Sequence, residues 1–596
     1  MLLNLLPSQP PSQPAPPGQV PPSHSSSTPT IRHHWFYLTL SLAVAAFYAG
    51  IVLREGFSSP WILQDDARVY LLWMERFRDP QLFPQDLMAD YFQSVTPWGL
   101  GFLYRSMTSL DIDPLTLSKL LPLPISLLLA WYGYRLTVQL FPLAIAGFLS
   151  SVILLQSCWQ RDDLASGAPR SFWALLLTAF LYYLARRAWL PLGLTVIAMG
   201  LFCPLAALLV SIFLILRWAI ALWQTQTQAE SNPNRSLLQT LLPVPQEIGA
   251  LCIAIATLLP YIFRQSQFAP TITAAQAHLM PEFLPGGRLP FFGSNWFQHW
   301  FDGVDSGLQI SFNPPWLALS LLLPWLMMQS SPWLKKVLRP LNADIRLLPQ
   351  FTIAGLGGFF LAHALFAKIH FPSRYITHSF RVVMATAAGI VLAVGLQALL
   401  HWGLRSRQAW ARPLALGGLG FGLVLLAVYP HLAWRNFPNT GYGLAENPAL
   451  YQFLQNTPKT TLTAYLGIDG SNLPLLSKRS TLTAQEYAIP FHLGYYKEMR
   501  SRTEALLQAQ YSPSLAPAQQ LIRKYHIDYW LFDRNATDPN YLLNYRWMNL
   551  FKPQVQQIVA RLKVGQLGAI AQIRKTCHNA TFGNTEVLDA HCITQQ

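Results

Sequence analysis

The sequence predicts an α-helical polytopic membrane bundle of about eleven spans with a C-terminal α/β domain outside the membrane. Three observations predict it. Only 12% of the 596 residues are charged, where a soluble globular protein carries about 25%. Hydrophobic residues make up 52%, including 34 Phe, 20 Trp and 23 Tyr. These residues also gather into runs of membrane length. So much apolar surface behind so few charges excludes a single soluble domain.

Residues 1–30 hold nine prolines with many Ser and Gln, the composition of a disordered tail. They lack the basic start and small-residue cleavage site of a secretory signal. The multispan domain covers 31–436. Its first run, 35–53, is long enough to cross about 30 Å of hydrocarbon at about 1.5 Å per residue. Further runs lie at 115–133, 137–156, 171–186, 189–217, 246–263, 312–329, 349–368, 378–400 and 413–432. Pro204 is a candidate break in the long 189–217 run. A weaker run at 96–112, which carries Arg105, brings the total to eleven.

Basic loops set the orientation. Lys335, Lys336 and Arg339 mark one cytoplasmic loop, and Arg405, Arg407 and Arg412 mark another two spans later. This places the N-terminus in the cytoplasm and loops 55–95 and 264–311 outside. The C-terminal domain, 440–596, is then extracytoplasmic, and a bacterial plasma membrane is the simplest host. Arg186 and Arg187 fall on the wrong side of this scheme.

The net charge of +15 sits mostly in short loops, where it holds topology against anionic lipid. No zinc-finger spacing or arginine-rich arm accompanies it, so nucleic acid is not an expected partner. The five cysteines form no CxxC. Cys577 and Cys592 lie in the polar C-terminal stretch and can pair in an oxidising compartment, two free thiols being the alternative. Closing a loop of about 15 residues contributes on the order of 3 kcal/mol.

Within 440–596, the segments 461–468 (TLTAYLGI), 527–532 (IDYWLF) and 567–573 read as buried strands. Helical patterns cover 498–509, 516–525 and 553–563. Strands separated by helices predict a small layered α/β domain. It has no glycine-rich nucleotide fingerprint, which suits a lid or docking module.

Three places can carry chemistry. The first external loop opens SSPWILQDDARVY (58–70), with Asp65 and Asp66 side by side and Arg68 a local partner. An amphipathic stretch follows at 69–77 and can fix the acids over the bundle. Adjacent carboxylates repel, which raises one pKa or recruits a cation. Equally, an Asp at a helix start serves as a cap. Asp86 and Asp90, farther along the loop, are secondary acids.

The second place is KIHFPSRYITHSFR (368–381), at the same outer face. A cation at a bundle rim needs a partner, and a lipid phosphate suits Lys368 and Arg374. His370, Tyr375 and His378 add further polar groups, and ordinary snorkelling is the alternative. The third is loop 264–311, where His278, Glu282, Arg288, Asn295, His299, Asp302 and Asp305 recur among Trp296, Trp300 and Phe301. Such a mixture suits sugar rings and an interfacial belt alike. A divalent cation is a candidate cofactor, but one acidic pair is insufficient as a ligand set.

The layout of 35–596 resembles the GT-C superfamily of integral-membrane glycosyltransferases, particularly the protein mannosyltransferase and lipid-A arabinose transferase branch. At sequence level the resemblance rests mainly on 60–95 and 368–381. Asp65 matches the first acid of the pair that opens the family's first external loop. Asp66 departs from the usual Glu. The stretch AIPFHLGYY (488–496) is similar to the family's external domains. The WWDYG signature of oligosaccharyltransferases is absent from the sequence, which argues against the en bloc branch.

The resemblance implies a polyprenyl-phosphate-linked sugar donor and an extracytoplasmic glycan, lipid or protein acceptor. Asp65 would take the acceptor's proton as its hydroxyl attacks the anomeric carbon. Lys368 and Arg374 would stabilise the departing lipid phosphate. A single displacement would invert the anomeric centre. Two rival functions fit a multispan chain: a transporter or flippase for a lipid or polar solute, and a noncatalytic membrane assembly protein.

Overall fold

The computed structural model describes residues 28–229, 244–264, 266–366 and 368–596. The proline-rich tail, apart from its last three residues, lies outside the described residues. Among those described, seven helices are long and apolar enough to cross a membrane. They are Arg32–Gly56, Pro114–Leu140, Pro204–Thr227, Pro245–Phe263, Ala343–Ala364, Pro372–Arg405 and Ala411–Ala433. Three shorter apolar helices, Ala144–Trp159, Trp189–Phe202 and Pro315–Met328, run among them, as does Trp173–Ala185.

Two runs behave differently from the sequence expectation. The 96–112 run forms only the 11-residue helix Trp98–Thr108, roughly 16 Å long and about half of a crossing. The 189–217 run divides at Pro204, which opens a new helix immediately after Trp189–Phe202. Proline lacks the N–H that a continuing helix needs but fits the first turn of a new one. The 189–217 run thus supplies two helices, and the 96–112 run supplies one short one.

These differences also relocate Arg186 and Arg187. Trp173 stacks on His378, with ring centroids 4.3 Å apart, at the end of the bundle that bears the acids. The helix Trp173–Ala185 therefore delivers Arg186 to the opposite end. There Asn342 donates its backbone N–H to the Leu140 carbonyl at 2.8 Å. Arg217 pairs with Glu247 at 2.6 Å and donates to Gln350 at 2.8 Å at this same end.

The chain leaving the last long helix folds back over the loop that follows the first one. Strand β1 (Ile62–Gln64) pairs antiparallel with β2 (Tyr442–Leu444), Gln64 opposite Tyr442. Asn439 donates to the Trp159 carbonyl at 2.7 Å, and Thr440 donates to Glu55 at 3.1 Å. Three helix ends and the first loop are thereby fixed at one face.

The C-terminal region holds β3 (Leu462–Ala464), β4 (Ser480–Thr481), β5 (Tyr529–Asp533), β6 (His578–Phe582) and β7 (Thr585–Asp589), which form a five-stranded mixed sheet in the order β4-β3-β5-β7-β6. Strands β3 and β4 run parallel, as do β3 and β5. Helices Leu493–Tyr511, Ala516–Tyr525 and Lys552–Lys563 lie where the periodicity places them. Residues 567–573, expected as a strand, instead contain the helix Ala569–Ile573. A short apolar run has too few residues for its period to decide.

The sheet is completed by β6 and β7, which pair antiparallel. Their turn is Gly583-Asn584, with Gly583 at φ +58. Glycine adopts this left-handed conformation without strain. Cys577 and Cys592 are joined by a disulfide with Cα atoms 5.5 Å apart, tying the start of this hairpin to the last helix.

Candidate active site

Asp65 and Asp66 sit between β1 and the helix Ala67–Met74. Asp66 occupies the cap position of that helix, yet its side chain makes no capping bond. The Ala67 N–H is instead accepted by Gln64 Oε1 at 3.0 Å. Both carboxylates are thus free for other partners. Asp65 pairs with Arg68 at 2.8 Å, and Asp66 reaches Arg170 Nε at 2.6 Å.

Arg170 joins two loops. Its second nitrogen donates to Asp162 at 2.6 Å, and Gln64 Nε2 donates to the same carboxylate oxygen at 2.9 Å. Burial opposes the charge on Arg170, but Asp66, Asp162 and Asp163 outweigh it and raise its pKa. Gly441 crosses directly above this junction at φ +63, and a Cβ there would lie 2.7 Å from Asp162 Oδ2 and 2.9 Å from Gln64 Nε2. Only glycine allows both that conformation and that approach.

Asp65 is the more open acid, its side chain 53% exposed. The protein rising around it, and then Glu486, push its carboxyl above the usual aspartate range. Arg68 and Arg288 pull the other way. Glu486 belongs to the C-terminal domain and pairs with Arg288 of loop 264–311 at 2.5 Å. Charges from both pieces therefore act on the acid.

A second cluster forms where the helix Pro372–Arg405 begins. Asp163 and Arg381 make a buried ion pair, and His378 packs flat against Trp173. Burial favours the neutral form of Asp163, but Arg381, His378 and Arg170 hold its carboxyl well below the ordinary range. Arg374 and Arg161 are different. Among the described residues neither has a carboxylate within 4.0 Å. Arg161 donates to Gln309 at 3.3 Å, and burial, Arg381 and Arg374 together lower its pKa.

Tyr70 connects the two clusters. Burial and Asp66 push its phenol up to about 12, while Arg170 and Arg374 act against them. Asp66 of the first loop and the cation at 374 thus act on a single side chain. The end of loop 264–311 closes over the same place, because Ser373 donates its N–H to the Asp305 carbonyl at 3.2 Å. Burial pushes the Asp305 carboxyl up to about 6, with Arg374 opposing.

The remaining candidates are placed elsewhere or serve packing. Lys368 is exposed and has no ion pair among the described residues. His370 lies against Phe371 and Phe491, and burial followed by Arg374 pushes it down to about 3, so it is neutral at pH 7. The Tyr375 hydroxyl donates to the Ile369 carbonyl at 2.9 Å. Asp90 pairs with Arg76 at 2.8 Å, apart from the cluster. Asp86 caps the helix Leu87–Val95.

In loop 264–311, His278 stacks on Phe292 and His299 hydrogen-bonds the Phe291 carbonyl. Glu282 is fully buried and accepts from Tyr496 and Arg500, docking the loop on the C-terminal domain. Sequence reading missed Arg161, Asp162, Asp163 and Arg170. Their signal is a short charged segment, QRDD at 160–163 with Arg170, enclosed by two apolar runs. Among the described residues no group of three or more His, Cys, Asp and Glu is arranged to hold a metal ion.

No protein-family model and no curated protein matches the sequence. Solved structures do resemble the chain. An oligosaccharyltransferase of Archaeoglobus fulgidus tethered to an acceptor peptide is 14% identical, covering 88% of this chain and 72% of its own, with a TM-score of 0.49. The oligosaccharyltransferase AglB of the same organism, solved with an inhibitory peptide and a dolichol-phosphate, is 13% identical over the same shares, also at 0.49. ArnT from Cupriavidus metallidurans is 12% identical, covering 93% of this chain and 97% of its own, at 0.43.

Proposed function

We propose that the chain is a membrane glycosyltransferase that moves a sugar from a polyprenyl-phosphate donor to an acceptor at the face bearing the C-terminal domain. One observation carries this reading. Asp65, a half-open carboxylate with a raised pKa, adjoins Asp66, whose charge acts on Tyr70 together with that of Arg374, and among the described residues neither Arg374 nor Arg161 has a carboxylate within 4.0 Å. A base beside an anion site is what transfer from a lipid phosphate requires. In this scheme the chain crosses the membrane eleven times, with Arg186 and Arg187 cytoplasmic and the C-terminal domain extracytoplasmic.

Asp65 accepts the proton from the acceptor hydroxyl as oxygen bonds to the anomeric carbon. The bond from that carbon to the lipid-phosphate oxygen breaks, and the phosphate keeps the electron pair. Arg374, helped by Arg161, binds the donor phosphate before and during this step alike. Arg170 positions Asp66 and Asp162 without contacting the sugar. Glu486 and Arg288 bring the C-terminal domain and loop 264–311 to the acceptor side.

The test is transfer of labelled sugar from a polyprenyl-phosphate donor by the full chain in vesicles. Arg374→Gln is expected to raise the donor KM by about 10- to 100-fold, the worth of a charge-assisted hydrogen bond of about 1.5–3 kcal/mol. Movement of donor lipid across sealed vesicles without glycosylated product would instead support a flippase.

A further inference from the structure

At the end of the bundle opposite the acids, the first long helix and the helix Pro122–Leu140 enclose a cleft of about 290 Å³, near the lower limit for ligand pockets. It is lined by His34, Trp35, Leu38, Tyr134, Arg135 and Val138. His34 Nδ1 lies 3.0 Å from the Tyr134 hydroxyl, and that hydroxyl donates to the His34 carbonyl at 3.0 Å. Tyr134 is thereby locked against the first helix. Trp35, Leu38 and Val138 supply apolar walls.

Arg135 is the unusual member. Its Nε is buried with no hydrogen-bond partner, and among the described residues it has no ion pair. Its guanidinium lies 5.0 Å from the centre of the Trp131 ring, a contact that leaves Nε unsatisfied. The sequence offers no local counter-charge: Glu55 is the first acid in the chain, while Arg32, His33 and His34 precede the cleft. A guanidinium at a bundle end with no carboxylate partner calls for an external anion.

We infer that this cleft binds the phosphate of an anionic membrane phospholipid, with Arg135 contacting the headgroup and Trp35, Leu38 and Val138 contacting the acyl chain. A lipid fits better than a free anion because charged and apolar surfaces adjoin at the end of two spanning helices. The site is separate from the acid-bearing face, so it stands whether or not sugar transfer does.

The experiment compares unfolding midpoints of the full-length protein in neutral detergent. Additions are phosphatidylglycerol, phosphatidylcholine or inorganic phosphate. Phosphatidylglycerol is expected to raise the midpoint clearly above the other two. Arg135→Gln is expected to lose more than half of that rise, and Arg135→Lys to keep more of it. Arg186→Gln, at the same end but outside the cleft, should keep it all. A rise from inorganic phosphate equal to that from the lipid would replace the lipid with a soluble anion and overturn the proposal. So would equal rises in the wild-type protein and Arg135→Gln. Should Arg135→Gln fail to fold, loss of bound phosphatidylglycerol from Trp35→Ser, read by native mass spectrometry, decides the question. Full retention there also overturns it.

Discussion

Asp65→Asn is expected to lower sugar transfer by about 10²- to 10⁴-fold, the usual worth of a positioned general base. Insertion and folding should be nearly unchanged. Asp65 is half exposed and, among the described residues, its ion partner is Arg68, a pair whose acid is open to water and which is worth about 0–1 kcal/mol. The loss should fall on turnover and leave donor KM little altered, the reverse of the pattern for Arg374→Gln. Because crowding and Glu486 raise the Asp65 pKa, the acidic limb of the kcat/KM profile should lie above an ordinary aspartate's value. Activity rises with pH through that limb as the carboxylate forms. A rate profile of the wild-type protein and transfer assays of Asp65→Asn check both statements.

Asp163→Asn is expected to act on stability, lowering it by about 3–5 kcal/mol. Asp163 and Arg381 are 8% and 7% exposed, so removing the acid leaves a buried guanidinium without its counter-ion. Replacing both with apolar residues of similar volume should restore much of the loss. The pH dependence has a definite sign. The folded pKa of Asp163 is depressed, so its contribution is complete above the unfolded value near about 3.9. It is lost only as pH falls below that value, toward the folded pKa. Thermal unfolding of the detergent-solubilised protein at neutral and acidic pH measures both effects.

The membrane class was legible because apolar runs of spanning length need no tertiary information. The ends of the runs were not. Whether 96–112 crosses depends on how much of it is helical, and only Trp98–Thr108 is. Pro204 was visible as a break, but the sequence could not settle whether it ends one crossing or kinks it. Taking it as a true break, and 96–112 as a surface helix, brings Arg186 and Arg187 into line with the other basic loops.

The site was legible in part for a similar reason. Asp65, Asp66 and Arg374 stand out as charged residues at the margins of apolar runs. Arg161, Asp162, Asp163 and Arg170 have the same signature, but their role depends on pairing across loops far apart in sequence. Asp66 meets Arg170, and Gln64 meets Asp162, where β1 pairs with β2 and Asn439, just before β2, bonds the Trp159 carbonyl. Glu282 shows the opposite case: a conspicuous acid among aromatics whose partners, Tyr496 and Arg500, make it a docking group. The hairpin β6–β7 was hidden by its polar residues, although Gly583-Asn584 is a two-residue turn signal.

The most direct measurement is a structure of the full chain with a polyprenyl phosphate bound. The phosphate should lie within hydrogen-bond reach of Arg374, with Arg161 beside it and the Asp65 carboxylate facing the position of the sugar. A phosphate held elsewhere on the bundle, with Asp65 facing away from it, would contradict the account.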